Sequence, residues 1–184
     1  MDGLSLNEVE TLAAKAARGA GLSWGLAEDV GRAARRLAAA GRPWASAVVR
    51  LSTDPGPALA GARLADAPPL GSAHEQGLGF PAFVAAMAAA AFKPLRFSWP
   101  EADLVVADGR IATATGPSLD HEGPVDLLAE PIAGPLAGFM PACKPSHPDP
   151  AVLAQLEALA WLTAVPPSDR SRLAGAGAGL QDND

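Results

Sequence analysis

The chain has 184 residues, 42 of them alanine, and a formal net charge of −6, a size that suits one domain. Because alanine inflates the hydrophobic fraction, we expect a thin core of small side chains. The acidic balance argues against partners such as nucleic acid or an anionic membrane. No apolar run reaches the roughly 18 residues that a membrane-spanning helix needs, and the N-terminus lacks a signal-peptide pattern. A single cysteine excludes a disulfide framework and a cysteine-built zinc site, so we expect the protein in the cytoplasm.

The first forty residues predict two helices that form a hairpin. Ser5 and Glu8 have the spacing of a capping box, and apolar residues recur at helical intervals up to Gly19. A second amphipathic helix is predicted over residues 23–40 and ends at a glycine. The short connection between them predicts an αα-hairpin within residues 1–41.

The middle of the chain predicts a change from helices to strands. A short third helix is expected from Pro43, and a fourth from Pro81. Residues 53–78 contain many prolines and glycines and are predicted to form a long ordered loop. Strands are predicted at residues 96–99, 102–107, 110–115 and 125–129, with a hairpin turn at Asp108 and Gly109.

The C-terminal part is predicted to be a proline-rich segment over residues 131–150, a helix over 149–163 and a glycine-rich tail over 168–184. The fold class is therefore α+β: an N-terminal αα-hairpin, a small antiparallel sheet within residues 95–130, and a C-terminal helix with its tail. We expect the large aromatic side chains to fill the core, which predicts burial of all four tryptophans, Trp24, Trp44, Trp99 and Trp161.

Residues suited to catalysis or metal binding are sparse. His121 lies between Asp120 and Glu122, but neighbouring side chains on an extended segment point in opposite directions and do not converge on one ion. The other two histidines are predicted in loops, and Cys143 has no orienting partner nearby in the sequence. We predict no metal site and no cofactor, and the pattern assigns no catalytic residue.

Charge is distributed unevenly along the chain. Residues 1–50 carry a net charge of +2 and residues 51–184 a net charge of −8. Lys15 and Arg18 lie in the last turn of the first predicted helix, beside a glycine-rich turn where backbone groups are accessible. In the tail, Arg172 has the fork geometry that binds carboxylates.

Both ends of the chain carry distinctive segments. Residues 5–10 (SLNEVE), 15–21 (KAARGAG) and 24–28 (WGLAE) open it, and residues 171–184 (SRLAGAGAGLQDND) close it. In these segments the chain resembles an uncharacterised bacterial family, a domain of unknown function of roughly this length. The resemblance implies a single domain over residues 1–184 to which the tail belongs.

The resemblance brings no known activity. A histidine and a tyrosine that the family has before the tail are replaced here by residues 160–165 (AWLTAV), so no catalytic residue carries over. Together with the charge pattern, it favours these ligand-binding candidates: Lys15, Arg18, Ser171, Arg172, Asp182, Asn183 and Asp184.

Two functions are compatible with these patterns. In the first, the protein binds or transforms a small anionic metabolite at a pocket formed by the hairpin and the tail. In the second, it is a non-catalytic accessory subunit that docks on itself or on a partner through alanine-rich helices, since small side chains let helices approach closely. We favour the first.

Overall fold

A computed structural model describes residues 3–134, 136, 138–145 and 147–163. Over these residues the fold is α+β, as predicted. The elements are α1 (Leu6–Gly19), α2 (Trp24–Ala39), α3 (Ala45–Arg50), α4 (Gly56–Asp66), β1 (Ala73–Leu78), α5 (Pro81–Ala88), β2 (Leu95–Trp99), β3 (Ala102–Ala107), β4 (Arg110–Thr115), β5 (Val125–Pro131) and α6 (Pro150–Trp161). Of the helices in the described ranges, none has the length and apolar character needed to span a membrane.

The predicted αα-hairpin is confirmed by α1 and α2. At the start of α1, the Ser5 hydroxyl accepts the backbone N–H of Glu8 at 3.3 Å, and the Glu8 carboxylate accepts the backbone N–H of Ser5 at 2.7 Å. These hydrogen bonds form the predicted capping box and hold the pKa of Glu8 below its ordinary value. The two helices cross closely at Gly31, where a Cβ would lie only 2.7 Å from the carbonyl oxygen of Glu10.

The helices form successive layers on the sheet. Seven of the eight residues of helix α5 are buried, and the helix contacts α2, α4, β2 and β3, which fits its wholly apolar sequence. Helix α6 packs on the outer side of α1, at Gly19, where a Cβ would lie 1.8 Å from the carbonyl oxygen of Leu159. Gly31 therefore allows α2 to approach one side of α1 closely, and Gly19 allows α6 to approach the other side.

The sheet has five antiparallel strands in the order β1-β5-β2-β3-β4. Phe97 on β2 pairs with Leu104 of β3 and Ala129 of β5, and all three are buried. Asp108 and Gly109 both have positive φ, 49° and 71°, as a two-residue hairpin turn requires. The predicted strands and this turn are confirmed.

The prediction of a long loop over residues 53–78 is wrong, because these residues form α4 and β1. The prolines at 55 and 57 sit at the N-cap and first turn of α4, where a missing N–H costs no hydrogen bond. Gly61 lies where α4 meets α5, and a Cβ there would be 2.3 Å from the Cβ of Met87. Strand β1 is an edge strand held by pairing with β5, so the sheet begins before the predicted residue 95.

The tryptophan prediction is half wrong. Trp44 and Trp99 are buried, but Trp24 is 69% exposed and Trp161 is 73% exposed. The interior faces of α1 and α2 are filled mainly by alanine and valine, and helices this close leave no room for an indole. Trp24 and Trp161 instead occupy helix ends, the first residue of α2 and the last of α6.

Candidate functional site

A cavity of about 790 Å³ lies along the outer face of α1 and α2, and we call it the hairpin cavity. Its described charged residues are Glu10, Lys15, Arg18, Glu28 and Arg32. Trp24 and alanines from both helices supply apolar surface, while Asn7 and Thr11 add polar groups. The cavity thus combines positive charge with an aromatic wall, and it contains both of the hairpin residues predicted for binding.

Arg18 is held firmly in this wall. Its guanidinium donates to the carbonyl oxygen of Leu22 and lies 4.7 Å from the centre of the Trp24 ring, a cation–π distance. Its Nε is buried and has no hydrogen-bond partner among the described residues. Arg18 therefore ties the end of α1 to the start of α2.

Lys15 differs from the other cations of the hairpin cavity. It is exposed, and it forms no hydrogen bond or ion pair with any residue in the described ranges. Its ammonium group carries three donors that are available to an incoming anion.

The carboxylates of the hairpin pair with arginines of α2. Arg35 lies 3.1 Å from Glu10, and Arg32 lies 2.7 Å from Asp29 and 3.9 Å from Glu28. These partly exposed pairs add little to stability. Their effect on the site is local neutralisation of the middle of the helix pair.

A second cavity of about 420 Å³ adjoins the first, because Glu10 and Arg32 line both. We call it the arginine cavity; Arg35, Arg36 and Arg110 also line it. Arg36 donates from Nε to the carbonyl oxygen of Gly109 and from Nη1 to that of Ala86, both at 2.9 Å. Arg36 therefore links α2 to the β3–β4 turn and to α5.

The charge of Arg36 is poorly compensated. Burial of its guanidinium lowers the pKa of Arg36, and the positive charge of Arg32 lowers it further, while Asp29 and Glu10 act in the opposite direction. Its two hydrogen-bond acceptors are neutral carbonyls. An anion placed in the arginine cavity would relieve this repulsion.

Sequence reasoning missed several cations of these cavities. Three of them, Arg32, Arg35 and Arg36, follow Glu28 at helical spacing on α2, which places them on one face of the helix. That spacing alone would have indicated a charged face next to Lys15. Arg110 reaches the same place from β4, and no local pattern could have shown this.

The predicted tail residues Ser171, Arg172, Asp182, Asn183 and Asp184 lie outside the described residues. The nearest described residue in the chain, Thr163, lines the hairpin cavity. The chain thus leaves α6 at the edge of the cavity that contains Lys15 and Arg18.

The other sequence candidates lie elsewhere. Asp120 pairs with Arg42 at 3.4 Å, while Cys143 is exposed and its thiol lies 3.8 Å from the carbonyl oxygen of Pro141. Within the described ranges, no group of three or more histidine, cysteine or acidic side chains is arranged to hold a metal ion.

Comparison with protein families gives a match in the N-terminal part of the chain. Residues 4–75 match the model of a protein family of unknown function, DUF3726. This confirms, for those residues, the predicted resemblance to a family of unknown function; the resemblance at the tail stays a prediction. The matched segment runs from the start of α1 into β1 and contains every charged residue of the hairpin cavity named above. Neither the curated proteins nor the solved structures gave a match.

Proposed function

We propose that the protein binds a small organic anion in the hairpin cavity, with Lys15 as the principal contact. The observation that carries the proposal is a concentration of cations in an acidic chain. Six of the fourteen basic residues line the two adjoining cavities, although the net charge is −6. A chain with this overall charge repels anions in general, so a local positive field is needed to attract one.

The chemistry of the cavity wall indicates which class of ligand the cavity binds. Lys15 supplies an ammonium group without a described carboxylate partner, while Trp24 and the flanking alanines supply apolar surface. Binding sites that combine a few placed charges with an apolar lining select organic ligands over bare inorganic ions. We therefore expect a carboxylate or phosphate group attached to an apolar body.

The tail is included in this proposal. Ser171, Arg172, Asp182, Asn183 and Asp184 are proposed to complete the pocket, and this is supported by the position of Thr163 at the cavity edge. We also propose that the protein acts in the cytoplasm, since Cys143 is free and exposed, which suits a reducing compartment.

A thermal-shift comparison of charged and neutral probes tests the proposal. Benzoate is compared with benzamide, and phenyl phosphate with phenol. An anion at ten times its Kd adds about 1.4 kcal/mol to the free energy of unfolding, which raises Tm by about 3–6 °C for a chain of this size. We expect such a rise with at least one anion and with neither neutral probe.

Two charge-matched variants complete the test. Lys15→Gln should abolish the rise without changing the Tm of the unliganded protein, because exposed Lys15 makes no hydrogen bond or ion pair with the described residues. Lys93→Gln removes the same charge outside both cavities, so this variant should still show the rise in Tm with the anion. Equal responses to anions and neutral probes, or equal responses in the two variants, would contradict the proposal.

A different observation supports an accessory role as the second candidate. Helix α6 is almost wholly apolar, yet only Leu156 is buried, and Trp161 and Leu162 are 73% and 71% exposed. Exposed apolar surface of this kind favours association with another protein surface. The candidate predicts concentration-dependent self-association in sedimentation velocity that Leu162→Ser reduces; a protein that stays monomeric at all concentrations contradicts self-docking through α6.

A further inference from the structure

The hairpin cavity and the arginine cavity adjoin at Glu10 and Arg32, which line both, and we call the two cavities together the groove. Its middle is neutralised, because Arg35 pairs with Glu10 and Arg32 pairs with Asp29 and Glu28. At both ends the positive charge lacks a carboxylate partner within the described part of the chain. Lys15 and Arg18 occupy one end, and Arg36 and Arg110 occupy the other.

The two cationic ends lie on opposite sides of the helix crossing at Gly31. Gly31 packs against Glu10 and Ala14, Lys15 lies beyond this crossing on α1, and Arg36 lies five residues further along the antiparallel α2. With a rise of 1.5 Å per residue, the two ends are separated by on the order of 10 Å along the helix axes.

The arginine end is built to hold an anion in a fixed orientation. Arg36 is fixed by its hydrogen bonds to Gly109 and Ala86, and the Arg110 guanidinium stacks on the Phe139 ring at 4.4 Å. Both guanidinium planes are thus positioned before a ligand arrives, which reduces the entropy lost on binding. Ile111, Met140 and Ala39 add apolar surface beside them.

We infer that the groove binds an organic dianion, with one anionic group at Lys15 and Arg18, the other at Arg36 and Arg110, and an apolar spacer between them. This inference rests on the proposed function and names its ligand class. A monoanion would satisfy only one end of the groove. A dianion of matching length gains a second contact, while the translational entropy of association is lost only once.

Isothermal titration calorimetry with a chain-length series tests the inference. The dicarboxylates succinate, adipate and suberate are compared with the monocarboxylates of the same chain lengths, butyrate, hexanoate and octanoate. In the wild-type protein we expect the best dicarboxylate to bind at least tenfold more tightly than its matched monocarboxylate. The advantage should be largest at one chain length, because the two ends are fixed.

Variants distinguish the contributions of the two ends of the groove to ligand binding. Arg110→Gln should weaken dicarboxylate binding more than monocarboxylate binding and so remove the dicarboxylate advantage, whereas Arg110→Lys should keep part of the advantage. Lys15→Gln should weaken both ligand types. Arg96→Gln, at an exposed position outside both cavities, should change neither.

The outcomes distinguish this inference from the proposed function. Monocarboxylate binding with no dicarboxylate advantage would overturn the dianion inference and leave the proposed function intact. An advantage that survives Arg110→Gln would also overturn the inference, because the second group would then lie elsewhere. If no carboxylate of either series binds the wild-type protein, the dianion inference fails; if phenyl phosphate also fails to raise Tm, the proposed function fails with it.

Discussion

Substitution of Gly19 by alanine should destabilise the protein, although alanine is the better helix former. A Cβ at this position would lie 1.8 Å from the carbonyl oxygen and 2.6 Å from the carbonyl carbon of Leu159. Because both atoms belong to the backbone, α1 and α6 must move apart. Overpacking of this kind costs up to about 3 kcal/mol, and the helical preference of alanine over glycine returns at most about 1 kcal/mol.

The net loss of about 2 kcal/mol should lower Tm by about 4–8 °C, as measured by circular dichroism. Gly25→Ala is the matched control, since Gly25 is also helical but a Cβ there meets nothing within 4 Å. It should stabilise the protein by about 0.4–1 kcal/mol. A Gly19→Ala protein as stable as the wild type would refute the contact between α1 and α6, and with it the position of Thr163 at the hairpin cavity.

Three further predictions follow from individual contacts. Ser5→Ala should cost about 1 kcal/mol in urea denaturation at neutral pH because the side-chain cap of α1 is lost; a variant with the urea midpoint of the wild type would refute this. Arg36→Lys leaves at least one of two carbonyls without its present donor and should cost about 1–3 kcal/mol; an unchanged urea midpoint would contradict this. Acrylamide should readily quench the fluorescence of the exposed Trp24 and Trp161 but not that of the buried Trp44 and Trp99. The readily quenched fraction should disappear when Trp24 and Trp161 are replaced by phenylalanine, and equal quenching of all four tryptophans would contradict the prediction.

The parts of the fold that local patterns encode were predictable from the sequence. The capping box of α1, the second helix after Ser23 and the Asp108–Gly109 turn each depend on residues that are close together in the chain. Their geometry is fixed by hydrogen bonds and φ angles within a few residues. The structure reproduces all of them.

The missed elements depend on distant contacts. Helix α4 contains Gly61, which lowers helix propensity locally but permits close packing on α5, and β1 is stabilised by a partner strand about fifty residues later. Neither reason is visible within a short window of sequence. The long loop prediction failed because proline and glycine were interpreted only as breakers of structure.

The candidate site was partly predictable for the same reason. Lys15 and Arg18 were found through the glycine-rich turn and now line a cavity. The second half of the groove is lined by α2 and by Gly109 and Arg110 of the β3–β4 hairpin. This contact joins segments that are far apart in the chain, so sequence spacing does not predict it. The burial of Trp24 was predicted wrongly because alanine, not tryptophan, fills the helix interface.

The most direct test of anion binding by the hairpin is an NMR titration of the ¹⁵N-labelled protein with benzoate and, separately, with phenyl phosphate, of which at least one should bind. We predict that the backbone amides of Lys15 and Arg18 and the indole N–H of Trp24 shift together and saturate with one Kd, while the amide of Lys93 stays unchanged. Shifts that leave these three signals in place, or that spread evenly over exposed basic residues without saturating, would contradict the account.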